Sequence, residues 1–303
     1  MNARLKELAP ALQVEYLKIR RSKTLWLTIL AFAVLTIISG LLMFILKDPV
    51  RALQLGLIGA KAQIFDGTAD WLSFFNLEFL LAGIGGLIIF GFIFVWIFGR
   101  EYSDKTYYDM LSLPTSRVTI VIAKIIMSAC WSMALILLVF LLTLGLGLVL
   151  QLPGGSAGVI RHGLAVLLAT GALMTLVCIP FGFVSSSTRG YLPAIGCIFA
   201  VLILGDVLNE VGYGQVFPWM IPMISSGAAQ ALTGKIAAPL GFVSYLPVVL
   251  AAIIGIVVTT AWWRYADQTC DNIHPDASRD PDAIKLYFFT FLMMGIQTWR
   301  RYY

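Results

Sequence analysis

Long apolar runs separated by short polar connectors dominate this chain. Read by length, they predict six spanning helices at about 25–46, 77–98, 118–150, 163–184, 191–208 and 241–265. Each is long enough to cross a hydrocarbon core of roughly 30 Å as a helix. The third run is longer than a membrane needs, so its first turns are expected to stand outside. Pro180 and Pro193 fall within the fourth and fifth runs and predict kinks near their ends. Gly83, Gly85, Gly86 and Gly91 in the second run, with Gly145 and Gly147 in the third, predict close helix approach.

The segments around these runs have patterns of their own. Over 5–24, Leu12, Tyr16 and Ile19 recur at helical spacing beside Lys18, Arg20, Arg21 and Lys23. That reads either as an amphipathic helix lying in the interface over anionic headgroups or as a plain positive flank of the first span. The connector 47–76 is moderately polar and is expected to include a short helix. Segment 209–239 is rich in Gly and Pro, with the run Phe217-Pro218-Trp219-Met220-Ile221-Pro222. It is too apolar for a solvated loop and too broken for a span, which predicts short re-entrant helices serving as an outer gate; a loop anchored at the interface by Trp219 is the alternative. The tail 266–303 is acidic at first and then aromatic, and its pattern assigns it no role.

Composition supports the membrane reading. Of the 303 residues, 59% are hydrophobic and 12% charged, against about 25% charged in an average soluble domain. Sixteen of the 21 Lys and Arg fall before span one, between spans two and three or just inside span three, between spans four and five, and at or after the end of span six. This bias places both termini in the cytoplasm. The net charge of +5 therefore reports topology and not nucleic-acid binding. The charged N-terminal stretch does not read as a cleavable signal. The four cysteines form no CxxC pair, and His162 and His274 fall on opposite sides of the membrane. No metal site, hydrolytic triad or P-loop is expected, and the chain is not read as an enzyme. Among acids, Asp206 and Glu210 share a helix face at the outer end of span five, and Glu78 stands at the outer start of span two. Acids near the membrane are candidates for substrate or ion contact because burying them is costly.

The densest polar stretch is 100–117, Arg-Glu-Tyr-Ser-Asp-Lys-Thr-Tyr-Tyr-Asp-Met-Leu-Ser-Leu-Pro-Thr-Ser-Arg. Ser103 can cap a helix with Asp104 in its first turn, and Pro114 would close it. Tyr107, Met110 and Leu111 then form one apolar patch. Asp104 and Asp109 outnumber Lys105 there, a balance that an anionic membrane repels, so a groove on a soluble protein is the expected partner.

In order, the segments Glu15-Tyr16-Leu17-Lys18-Ile19-Arg20-Arg21, Glu101-Tyr102-Ser103-Asp104-Lys105-Thr106, Leu111-Ser112-Leu113-Pro114-Thr115-Ser116-Arg117 and Ala123-Lys124 resemble the cytoplasmic signature of ABC-2-type transporter permeases. The likeness extends over about 12–265, and the 217–222 run is similar to the bacitracin and lantibiotic immunity branch. The resemblance implies an all-α polytopic permease domain over 1–265, in a bacterial cell membrane, with no cofactor of its own. Two copies of a soluble ATPase carrying ATP and magnesium would be its partners, together with a second permease chain and membrane lipid. Glu101, Tyr102, Asp104, Thr106, Tyr107, Met110, Leu111 and Arg117 would form the ATPase-coupling region, and Phe217, Pro218, Trp219 and Pro222 the outer gate. The scarcity of mid-span charge suits export of an amphipathic or lipid-like cargo, a peptide antibiotic among them. The rival readings are an ion-coupled carrier using Asp206 and Glu210, and a membrane scaffold or sensor subunit.

Overall fold

A computed structural model describes residues 2–48, 69–104, 116–227 and 240–265. All regular structure among the described residues is helical. The elements are α1 (Asn2–Arg20), α2 (Lys23–Lys47), α3 (Trp71–Ser103), α4 (Arg117–Val149), α5 (Ala157–Ser187), α6 (Leu192–Glu210), the short α7 (Ile221–Ser225), a single 3-10 turn (Phe242–Tyr245) and α8 (Leu246–Tyr265). Six of them, α2 to α6 and the 3-10 turn continuing into α8, are long and apolar enough to cross a membrane. This is a multi-pass membrane protein.

The helix starts are written in the sequence. Ser22, Asp70, Ser116 and Ser156 each accept a hydrogen bond from a backbone N–H three residues on, which satisfies a donor that the first turn leaves unpaired. The six spans alternate in direction, so one end of the bundle carries α1 and the other, the far end, carries α7. α3 and α5 form the central pair. α2 packs on α3 and α4, α6 on α3 and α5, and α8 on α5 and α4, while α1 lies against α4.

Close approaches occur where side chains are missing. A Cβ on Gly255 of α8 would stand 3.0 Å from the backbone nitrogen of Pro180 in α5, and one on Gly147 would stand 2.4 Å from the Trp71 ring. Gly145 instead meets open space, so the two glycines of α4 have different reasons to be there.

Several expectations are corrected. The N-terminal helix ends at Arg20 and a break at Arg21 and Ser22 separates it from α2, so it does not run to residue 24. Its inward side is Glu15 and Ile19, whereas Tyr16 is exposed. Pro193 occupies the first turn of α6, where a missing N–H costs nothing, and starts that helix instead of kinking it. α3 begins six residues earlier than the apolar pattern implied and continues to Ser103. Ser103 therefore ends α3 and caps no new helix, while the N–H of Asp104 bonds the Arg100 carbonyl at 2.8 Å. The expected short helix within 47–76, most of the coupling segment, the end of the gate segment beyond 227, and the tail from 266 lie outside the described residues.

Candidate functional site: an ionic clamp at the α1 end

At the α1 end, α1, α3 and α4 meet through charge. Lys124, eight residues into α4, is fully buried and donates to Glu101 at 2.8 Å, to Glu15 at 3.1 Å and to the Ile97 carbonyl at 3.2 Å. Lys18 of α1 completes the square, 2.8 Å from Glu101 and 3.3 Å from Glu15. Two carboxylates and two ammonium groups cancel, so the cluster is formally neutral. Neutrality and full hydrogen bonding are what allow charges to stay out of water. Arg100 adds a donor to the Lys18 carbonyl at 3.4 Å and lies over the Trp96 ring.

A second fastening joins α8 to the same place. Tyr102 and Phe98 both meet the Trp263 ring edge-on, with centroids 6.1 and 6.4 Å away. The Trp263 indole N–H donates to Ser186 of α5 at 3.0 Å. Arg117 donates to the Trp263 carbonyl at 3.3 Å, so a cation bonds one of the last carbonyls of α8, where the helix dipole favours positive charge.

The sequence grouped Glu101, Tyr102, Asp104 and Arg117 as one docking face. The structure separates them. Glu101 and Tyr102 point inward and fasten α3 to α1, α4 and α8, so their side chains are closed to an outside partner. Asp104 and Arg117 are exposed. Thr106, Tyr107, Met110 and Leu111 lie outside the described residues. The described residues on either side of 105–115 are anchored, α3 by the ionic square and α4 by Lys124 and Arg117.

Sequence reasoning missed the square although its signals were present. Glu15 is one of two acids, with Glu7, among the basic residues that flank α2 on its N-terminal side. Lys124 is an isolated cation inside an apolar run, and neither the charge bias nor the family signature that includes it names a partner for it. Trp263 and Ser186 carried no comparable signal.

At the far end, Phe217, Trp219 and Pro222 are buried, and Pro218 is half-buried. Phe217 and Trp219 meet at a tilt of 45° with ring centroids 5.1 Å apart, and Trp219 also meets Phe181 of α5. α7 wedges between α5 and α3, with Met223 against Gly83. The candidate acids diverge. Asp206 and Glu210 are exposed on α6, but Glu78 is 1% exposed, two turns inside α3, and is in hydrogen-bond contact with the Thr36 and Ser39 hydroxyls of α2. No group of three or more potential metal ligands occurs among the described residues.

The family described as ABC-2 family transporter protein matches residues 11–205. That stretch holds Glu15, Lys18, Glu78, Glu101, Arg117 and Lys124, and it ends before Asp206, the far-end aromatic turn and α8. The bacitracin transport permease protein BCRB of Bacillus licheniformis is 27% identical over 183 residues, which cover 60% of this chain and 85% of that protein.

Proposed function

The chain belongs to the ABC-2 transporter family and is the membrane subunit of an ABC transporter, and on that premise we propose that it drives outward movement of an amphipathic substrate. The observation that carries this reading is the double anchoring of segment 105–115. A soluble ATPase bound to that segment would push on the ends of α3 and α4. The ionic square would pass the push to α1, and the Trp263 contacts would pass it to α8. A rigid, charge-balanced joint suits that task, since breaking it would strand a buried charge.

The membrane subunit works with ATPase partners and has no nucleotide-binding motif of its own. We assign two ATPases and two copies of this chain to the working complex, in a bacterial cell membrane, with the α1 end in the cytoplasm. The exposed apolar residues of α2, such as Trp26 and Leu30, and of α6, such as Ile203, would then face lipid or the second copy. α1 would serve as the interfacial helix and the α7 region as the outer gate. Similarity to a bacitracin permease supports a peptide antibiotic of that kind as cargo. Asp206 and Glu210, exposed at the end of α6, offer no enclosed ion site and give the ion-coupled reading no support.

The test is co-purification and reconstitution. The tagged chain is isolated in mild detergent together with a co-expressed ABC ATPase subunit, and both are placed in lipid vesicles. The chain alone should hydrolyse no ATP, the pair should hydrolyse it, and bacitracin should stimulate the rate. Transport persisting in ATP-depleted vesicles under an ion gradient would overturn the proposal.

A further inference from the structure

Two hydrogen-bond contacts reach Glu78, and a third joins the two residues that make them. Thr36 Oγ1 lies 3.4 Å from Glu78 Oε2, Ser39 Oγ contacts Glu78 Oε1, and the same Ser39 Oγ lies 2.8 Å from the Thr36 carbonyl. A hydroxyl carries one proton. Because Ser39 donates its proton to the Thr36 carbonyl, which can only accept, its contact with Glu78 needs a proton from the other side. With an ionised carboxylate, two protons would have to serve three contacts. With a carboxylic acid there are three for three: the Glu78 O–H donates to Ser39 Oγ, Ser39 O–H to the Thr36 carbonyl, and Thr36 O–H to Glu78 Oε2.

The electrostatic surroundings agree. Glu78 is 1% exposed, and Thr36 and Ser39 are equally enclosed. Among the described residues no ion pair includes Glu78. The described charged groups at this end of the bundle stand elsewhere. Lys47 of α2 donates to the Leu150 and Gln151 carbonyls, and Asp70 caps α3. Asp48 follows α2 at its boundary. Arg161 and His162 are exposed at the start of α5, and Asp206 and Glu210 are exposed on α6. At this end α4 and α7 contribute no charge, and the buried Thr143 hydroxyl of α4 is donated to its own helix at Val139. A carboxylate here would be a buried charge with no cation, the costliest arrangement available to it.

We propose that Glu78 is a proton-binding site, held as a neutral carboxylic acid that bolts α3 to α2. The proton is the ligand and the hydroxyls of Thr36 and Ser39 are its coordinating groups. This stands apart from the ionic square, which joins the opposite end of α3 through formal charges. It also does not depend on the transport reading.

Infrared spectroscopy of the full chain in lipid nanodiscs tests it directly. The chain has five glutamates, so carbon-13 labelling of glutamate marks few carboxyls. The wild-type protein at neutral pH should show an isotope-shifted carbonyl band of a protonated acid that is absent from Glu78→Gln. Ser39→Ala, which removes the acceptor of the Glu78 proton, should move that band without abolishing it. A folded wild-type protein whose labelled glutamates show only carboxylate bands at neutral pH would overturn the proposal. So would a protonated-acid band that survives unchanged in Glu78→Gln or fails to move in Ser39→Ala.

Discussion

Replacing Lys124 with Met removes the ammonium group that Glu15, Glu101 and the Ile97 carbonyl share. The four charges of the square cancel, so this single change leaves one buried negative charge in excess, and Glu101→Gln leaves one positive charge. At the 2.8 Å of the Lys124–Glu101 contact and an effective dielectric constant of about 20, the gross attraction is about 6 kcal/mol. Desolvation offsets part of it, and breaking a buried pair from one side costs about 3–5 kcal/mol. Each single variant should lose that much stability. The double variant Lys124→Met with Glu101→Gln is neutral again and keeps the Lys18–Glu15 pair at 3.3 Å. It should lose only about 1–3 kcal/mol, far short of the sum, giving a coupling of at least about 3 kcal/mol. Steric-trapping measurements of unfolding, on the full chain in bicelles, give all corners of this cycle. Strict additivity, or single losses under about 1 kcal/mol, would refute the account of the square as a charge-balanced joint.

Three further outcomes are expected. Gly147→Ala should destabilise by about 1–3 kcal/mol through overpacking on Trp71, whereas Gly145→Ala should stay within about 0.5 kcal/mol because its new methyl meets open space; thermal melts of the pair compare them. Gly255→Leu should lower the melting temperature and weaken α8 docking, read as faster proteolysis near Trp263, since Pro180 leaves no room even for a Cβ. Ser116→Ala should cost about 1 kcal/mol by removing the acceptor for the Thr119 N–H, and Ser116→Asp should restore it in the same melting assay.

The six spans could be read from apolar run lengths alone, because a lipid solvent leaves few other ways to satisfy a backbone. Their ends could not. Asp70 and Ser73 form the cap of α3, and starting that helix at residue 77 placed Glu78 at a boundary when it lies two turns inside. The described residues of the four signature segments gather at the α1 end, but the pattern did not give the direction their side chains face. Glu101 lies 83 residues from Lys18 and Lys124 lies 109 from Glu15, so local periodicity could not reveal either pairing. Segment 217–222 was correctly read as too apolar for solvent, and its aromatic residues are indeed enclosed.

The seat of Trp263 has a consequence for how the chain is made. α8 is the last of the described helices to leave the ribosome, so Ser186, Phe98, Tyr102 and Arg117 are all synthesised before it. Until it docks, Ser186 and the face of α5 opposite Gly255 lack their α8 contacts. A nascent chain stalled before α8 would present that empty seat, so docking of α8 is the step that closes this side of the described bundle.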